Sequence, residues 1–315
     1  MKISAEVIDK LRCPVCHGHM KLEADRFICV CGKDFPIIHE VPVLISEKSS
    51  LFSIDDFLEG RDTFFQISKS SKMRTALRQL LPRISKNIGG MENYRMFADL
   101  LTSRANRPSV LILGGSILGI GTEVLLSRPE IMVIETDVSF GPRTMIVCDA
   151  HDIPFEDESV DGVVLQAVLE HVVDPQRCVD EVYRVLKKDG IVYAETAFMQ
   201  QVHGGAYDFT RFTYQGHRRL FRRFEEINGG AVCGPGMALA WSYQYFLMSF
   251  TKSDFMRRLM AAFAMLTTFW LKYFDSYLVK KPKALDAAAA CFFMGKKSDT
   301  ILSDKELVGQ YQREM

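Results

Sequence analysis

The stretch CDAHDIPFEDESVDGVVLQAVLEHVVDP, residues 148–175, decides the fold. At its centre VDGVVLQ (160–166) is a short apolar run behind an acidic turn, and it reads as a buried strand. Asp174-Pro175 is a helix start: the Asp side chain accepts from free amides, and Pro suits the first helical position. The helix is carried by VDEVYRVLKK, with Val179, Val182, Val185 and Leu186 at helical spacing. GIVYAET (190–196) is the next strand. Upstream lie three more: SVLILG (109–114), IMVIET (131–136) and TMIVCD (144–149). Two further strands fall at FEEINGGAV (224–232) and ACFFMGKK (290–297), separated by a helical insertion at about 237–281. Strands alternating with helices predict an α/β fold, a parallel sheet covered on both faces.

The first of these strands runs into a glycine-rich loop, VLILGGSILGIGTEVLL (110–126), and then a helix. Glycines let backbone approach a ligand closely. Asp137 follows at the end of the second strand, where an acid can accept both hydroxyls of a ribose. Loop and acid suit any adenosine cofactor, so a nicotinamide-dependent oxidoreductase is still open at this point.

The 148–175 stretch separates the two. It resembles the class I methyltransferases of the ubiquinone-biosynthesis-like, methyltransferase type 11 group, in which an Asp-Ala pair, a Leu-Pro-Phe-like turn, an acidic turn, a strand and a Leu-Glu-His helix follow in order. VYRVLKKDGIVYAE matches that group's next helix, turn and fifth strand, and the resemblance covers about residues 105–200. It implies a Rossmann-like, seven-stranded methyltransferase sheet using S-adenosylmethionine. It also implies that Asp149 and the Ala150 amide hold adenine, that Gly114, Gly115 and Gly119 line the methionine moiety, and that Gln166 and Glu170 flank the pocket. The chain departs from the group at Ile112, which stands where an acid usually ends the first strand. Glu123 or a backbone carbonyl would have to compensate. This departure is the best support for a rival reading, a non-catalytic scaffold that docks a partner through its N-terminal module.

That module is marked by Cys13-Pro14-Val15-Cys16 and Cys29-Val30-Cys31-Gly32. Four thiolates from two turns form a closed structural zinc set that stabilises a core too small to fold alone. The second pair has one intervening residue where two are usual, and His17 and His19 are substitute ligands. FPIIHEVPVLI, together with the cysteines, resembles the small zinc-ribbon domains that activate tRNA and protein methyltransferases, over about residues 8–46. Cys148, Cys178, Cys233 and Cys291 sit among apolar neighbours and read as ordinary buried thiols, a pattern that suits the cytoplasm.

The domains expected are a zinc ribbon (1–47), a helical linker or lid (48–95), the methyltransferase domain (96–300) and a tail (301–315). The chain is 48% hydrophobic, and its Lys+Arg and Asp+Glu both number 39. Balanced charge gives no global field for bulk nucleic acid. Lys69, Lys72, Arg74, Arg78, Arg83 and Lys86 form a local basic run that reads as a solvated helix face, and a second basic cluster is Arg218, Arg219, Arg222 and Arg223. LMAAFAMLTTFWL (259–271) is too short to span a bilayer and reads as a buried or amphipathic helix, with interfacial membrane contact as the minority reading.

Chemistry is expected after the fifth strand, at the carboxyl end of the sheet, in ETAFMQQVHGGAYDFTRFTYQGHRRLF. His203 is the first choice of general base, with Tyr207, Asp208 and Arg211 orienting the acceptor or pairing with one another. His171 reads as structural, and Trp241, Tyr243, Tyr245 and Phe246 as a roof over the acceptor or as core. The acceptor is a small molecule or a lipid- or glycan-linked one, with O-methylation favoured.

Overall fold

The computed structural model describes residues 3–64 and 82–314. The middle of the expected linker, with Lys69, Lys72, Arg74 and Arg78, lies outside the described residues. The elements run α1 (Ala5–Lys10), β1 (Met20–Glu23), β2 (Arg26–Cys29), β3 (Asp34–Ile38), β4 (Val41–Leu44), α2 (Ile54–Leu58) and α3 (Gly90–Thr102). Then come β5 (Ser109–Leu113), α4 (Thr122–Leu126), β6 (Met132–Asp137), β7 (Ile146–Cys148), β8 (Val160–Gln166), α5 (Pro175–Val185) and β9 (Leu186–Ala197). The chain continues through α6 (Tyr214–Leu220), β10 (Phe224–Cys233), α7 (Pro235–Met248), α8 (Asp254–Thr268), α9 (Leu271–Leu278), β11 (Ala290–Lys297) and α10 (Asp304–Glu314).

The strands pair in the order β1-β2-β3-β4-β7-β6-β5-β8-β9-β11-β10. The seven from β7 to β10 are the expected sheet: β7, β6, β5, β8 and β9 run parallel, and β11 lies antiparallel between β9 and β10. All five residues of β5 are buried, which explains its unbroken apolar run. Val110 and Ile112 pack with Tyr94, Phe97 and Leu101 of α3 on one face. Leu111 and Leu113 pack with Val179 and Val182 of α5 on the other. Each such buried side chain contributes roughly 1.5–3 kcal/mol.

The cysteine module is built into this sheet. Its last strand, β4, adds to β7 in parallel register, Val43 opposite Val147 and Leu44 opposite Cys148. Leu11 bridges Phe155, Arg12 N donates to Pro154 O at 3.0 Å, and the Arg12 guanidinium reaches Glu156 at 2.6 Å. Val7, Leu11, Phe27, Phe35 and Leu44 belong to the same buried cluster as Val179 and Val182.

Three local readings are corrected. The helix opened by Asp174, whose side chain accepts from Arg177 N at 3.1 Å, ends at Val185 and does not include Leu186 to Lys188. Those residues start β9, because Leu186 pairs with Val160 and Lys187 reaches Asp161 at 2.8 Å. Leu169-Glu170-His171 is a turn rather than a helix: His171 N bonds Val168 O, and Glu170 O is taken by Phe209 N of the returning chain. The arginines at 218–223 are each matched by an acid and form no free basic patch. Arg218 pairs with Glu226, Arg219 and Arg222 with Asp304, and Arg223 with Asp180.

Candidate functional site

The carboxyl ends of β5, β6, β8 and β9 open into one cavity of about 610 Å³. At one end the chain leaves β5 through Gly114, whose φ of +76° turns the backbone sharply. The loop is tied to β6: Gly115 N donates to Thr136 O at 2.8 Å and Ser116 N to Asp137 Oδ2 at 3.1 Å. Asp137 Oδ1 accepts Ser139 N at 2.9 Å. Burial raises the Asp137 carboxyl, and these amides oppose that rise. Further along, a Cβ on Gly119 would fall 1.9 Å from Gln166 Oε1, so any larger residue would have to push the Gln166 amide aside.

Gln166 leads to a buried carboxylate. Its Nε2 donates to Ile120 O at 3.1 Å and to Glu195 Oε2 at 3.0 Å. Asn87 Nδ2 donates to the same oxygen at 2.9 Å, and the Tyr193 hydroxyl donates to the other. Glu195 stands opposite Gln166 in the β8–β9 register and lines the cavity, and its burial raises the carboxyl. Asp149 and Ala150 line the cavity below Asp137. Burial works to raise Asp149, but His151 at 2.6 Å and Ser50 Oγ at 2.6 Å outweigh it and hold the carboxyl low.

At the other end stand Glu170, His171, His203 and Tyr207. His171 Nδ1 donates to Tyr207 O at 2.8 Å, and His203 Nδ1 lies 3.2 Å from Gln201 O. The two Nε2 atoms face each other at 3.2 Å, a hydrogen-bond distance that one proton between them fills, and Arg211 Nη2 lies 3.4 Å from His203 Nδ1. Glu170 Oε1 lies 4.0 Å from His203 Nε2, and Glu170 Oε2 is buried with no hydrogen-bond partner among the described residues. Burial pushes the Glu170 carboxyl up to about 7 and holds His171 below the ordinary imidazole range. Such a cluster takes up and holds a proton. Phe52 and Phe64 pack on Tyr207 and give this end an apolar wall.

Asp208 and Arg211 pair with one another and do not line the cavity. Asp208 Oδ2 accepts His203 N at 2.8 Å and Gly204 N at 3.0 Å, while Arg211 reaches Gln200 O and Gln201 O. They clamp the loop that carries His203. None of Trp241, Tyr243, Tyr245 and Phe246 lines the cavity, so the roof reading is corrected, while Trp241 packs on the core as the other reading had it. Trp241 donates to Ser85 Oγ, Tyr245 to Val202 O, and Phe246 faces outward.

In the N-terminal module the four sulfurs of Cys13, Cys16, Cys29 and Cys31 lie within 4.8 Å of one another. Cys13 and Cys31 are 3.8 Å apart, Cys16 and Cys29 3.4 Å. A tetrahedron of sulfurs about 2.3 Å from a zinc has edges of about 3.8 Å, so the set fits. His17 and His19 are outside this cluster.

A family model described as "Methyltransferase domain" matches residues 122–194. A demethylmenaquinone methyltransferase of Clavibacter sepedonicus is 48% identical over 42 residues, which are 13% of this chain and 17% of that protein's length. A UPF0434 protein of Azotobacter vinelandii is 30% identical over 57 residues, 17% of this chain but 93% of that protein. The chain carries a methyltransferase domain, and its N-terminal segment belongs to the UPF0434 family. Among solved structures, a sarcosine dimethylglycine methyltransferase of Galdieria sulphuraria is 13% identical, covering 78% of this chain and 98% of that one with a TM-score of 0.44.

Within this domain, Glu123 does not line the cavity and so does not stand in for the acid absent at Ile112. Its Oε2 accepts Gly121 N at 2.9 Å and caps α4, away from the cavity. Glu195 and Asn87 line the cavity and Ser50 holds Asp149, and the motifs name none of the three. Glu195 had a signal, as an acid in an otherwise apolar strand. Asn87 and Ser50 had none, since they reach the methyltransferase sheet from the linker.

Proposed function

We propose that this methyltransferase moves a methyl group from S-adenosylmethionine to a hydroxyl oxygen of a small or lipid- or glycan-linked acceptor. The observation that carries the reading is the facing pair of imidazole Nε2 atoms beside Glu170, in the same cavity as the glycine loop. When bound, the cofactor supplies an electrophilic methyl on a sulfonium. Gly114, Gly115 and Gly119 give it room, Asp137 accepts from its ribose, and Asp149 and Ala150 face adenine. Glu195 provides the carboxylate that Ile112 does not, and a cation against it offsets the cost of its burial.

His203 Nε2 accepts the acceptor's hydroxyl proton, and His171 Nε2 stabilises that proton from the other side. Tyr207, Phe52 and Phe64 exclude water around the oxygen, and Asp208 with Arg211 fixes His203. His203→Ala then lowers the methylation rate by about 10²–10⁴-fold with cofactor affinity nearly unchanged. A drop of less than about threefold at saturating acceptor would leave catalysis to proximity alone. For the four thiols of Cys13, Cys16, Cys29 and Cys31 the reading is structural zinc, one ion per chain, which elemental analysis of the purified protein checks.

A further inference from the structure

The insertion between β10 and β11 is built inside out. Helix α8 packs its small residues inward: Ala264 and Thr268 are buried, and Gln244 of α7 donates to Ala261 O. Its bulky residues point away. Phe255, Leu259, Phe263 and Leu266 recur at i, i+4, i+8 and i+11, which places them on one stripe opposite Ala264. Phe255 is 74% exposed and Phe263 53%. Trp270 and, in α9, Tyr273, Phe274 and Tyr277 are exposed too, as are Phe246 of α7 and Phe250 just beyond it. Soluble monomers rarely leave so large an apolar surface open.

Charge identifies what covers it. Residues 235–287 hold seven basic residues, Lys252, Arg257, Arg258, Lys272, Lys280, Lys281 and Lys283, against Asp254, Asp275 and Asp286. Asp275 is fully buried, capping α7 through Gly236 N and Met237 N. The whole chain is neutral, so this insertion concentrates positive charge. A two-fold dimer through this face would set these cations against each other. An anionic bilayer meets both features, taking the aromatic side chains into its interface and the Lys and Arg side chains among its headgroups. No described helix is long and apolar enough to cross a membrane, so the insertion lies along the surface.

We propose that the α7–α9 insertion seats the methyltransferase on the surface of an anionic phospholipid membrane. The platform also touches the acceptor end: Tyr245 of α7 donates to Val202 O at 2.8 Å, and Gln201 donates to Ser242 Oγ at 3.0 Å. Seating therefore holds the His203 loop close to the bilayer. This consequence rests on the acceptor-site reading, whereas the seating itself does not.

The test is co-sedimentation of the full chain with vesicles of mixed phosphatidylglycerol and phosphatidylcholine, and with phosphatidylcholine alone. The chain pellets with the anionic vesicles only, and raised salt weakens the binding. Phe255→Ser with Phe263→Ser lowers it at least about tenfold. Lys280→Glu with Lys281→Glu does the same without touching an apolar side chain, Lys281 lying 4.5 Å from the exposed Tyr277 ring. Unchanged melting temperatures and S-adenosylhomocysteine binding show that the variants are folded, and a soluble acceptor is methylated at the parent rate. Two results overturn the proposal: a parent chain that stays in solution with both vesicles, or a dimer in solution that the Phe255→Ser, Phe263→Ser pair converts to monomer. Loss of methylation on His203→Ala with vesicle binding intact, or the reverse, separates the two readings.

Discussion

Glu195, Asp137 and Glu170 are three buried carboxyls in one cavity, and each has a different set of partners. Glu195 holds Tyr193, Asn87 and Gln166 and, on the proposed reading, supplies the acid that Ile112 does not. Glu195→Gln keeps the shape and removes the charge. It should weaken S-adenosylhomocysteine binding by about 10–100-fold, the worth of one charged hydrogen bond, with the melting temperature held or raised. Unchanged affinity in calorimetry would mean that Glu195 is structural. Asp137→Ala should behave differently, lowering both affinity and melting temperature, because Asp137 also holds Ser116 N and Ser139 N. Glu170 gives a pH signature. Its carboxyl is raised by burial from an ordinary 4.5 to about 7. A group raised on folding contributes stability that is complete below its unfolded value and lost as pH climbs through the folded one. The native state therefore loses up to about 3 kcal/mol between about pH 4.5 and about pH 7. Glu170→Gln removes that loss. Denaturant midpoints should favour the variant at about pH 8 and show little difference at about pH 4, and equal gains at both would refute the assignment.

At the level of elements, the strands were the most legible part. VDGVVLQ and ACFFMGKK match β8 and β11 residue for residue, because a buried strand must be apolar along its length. The errors fell where tertiary pairing overrides local pattern. Leu186 and Lys187 continue a helical spacing, yet Val160 and Asp161 draw them into β9. LMAAFAMLTTFWL is helical as read up to Thr268 and turns at Phe269-Trp270, but composition cannot say which way the helix faces, and its large side chains face outward. The parallel pairing of β4 with β7 has no local signal at all, since its partner lies about a hundred residues away. That pairing has a consequence for the four thiols. Their module shares a buried cluster with α5, so its loss is felt by the whole sheet. Cys13→Ser, or removal of zinc by a chelator, should lower the single melting transition of the protein by several degrees rather than add a separate early one. Two resolved transitions in calorimetry would show the module to be independent.

Over the whole molecule, the residues named from the motifs converge: Gly114, Gly115, Gly119, Asp137, Asp149, Ala150, Gln166, His203 and Tyr207 all line one cavity. The sequence carried this because a parallel sheet brings every strand's carboxyl end to the same edge. It carried less of what closes the cavity. Phe52, Phe64 and Asn87 come from the segment between ribbon and sheet, and loop residues have no periodicity to betray them. On the proposed reading, cofactor end, proton-holding end and basic aromatic platform together describe an enzyme that binds S-adenosylmethionine inside the sheet and meets its acceptor at the rim. All of this depends on cofactor binding by a loop that lacks the usual strand-one acid. The most direct test is a calorimetric titration of the full chain with S-adenosylhomocysteine, and with NAD in parallel. The account predicts saturable binding of S-adenosylhomocysteine at one site per chain and none of NAD; a flat titration with S-adenosylhomocysteine would contradict it and leave a methyltransferase fold that serves as a scaffold.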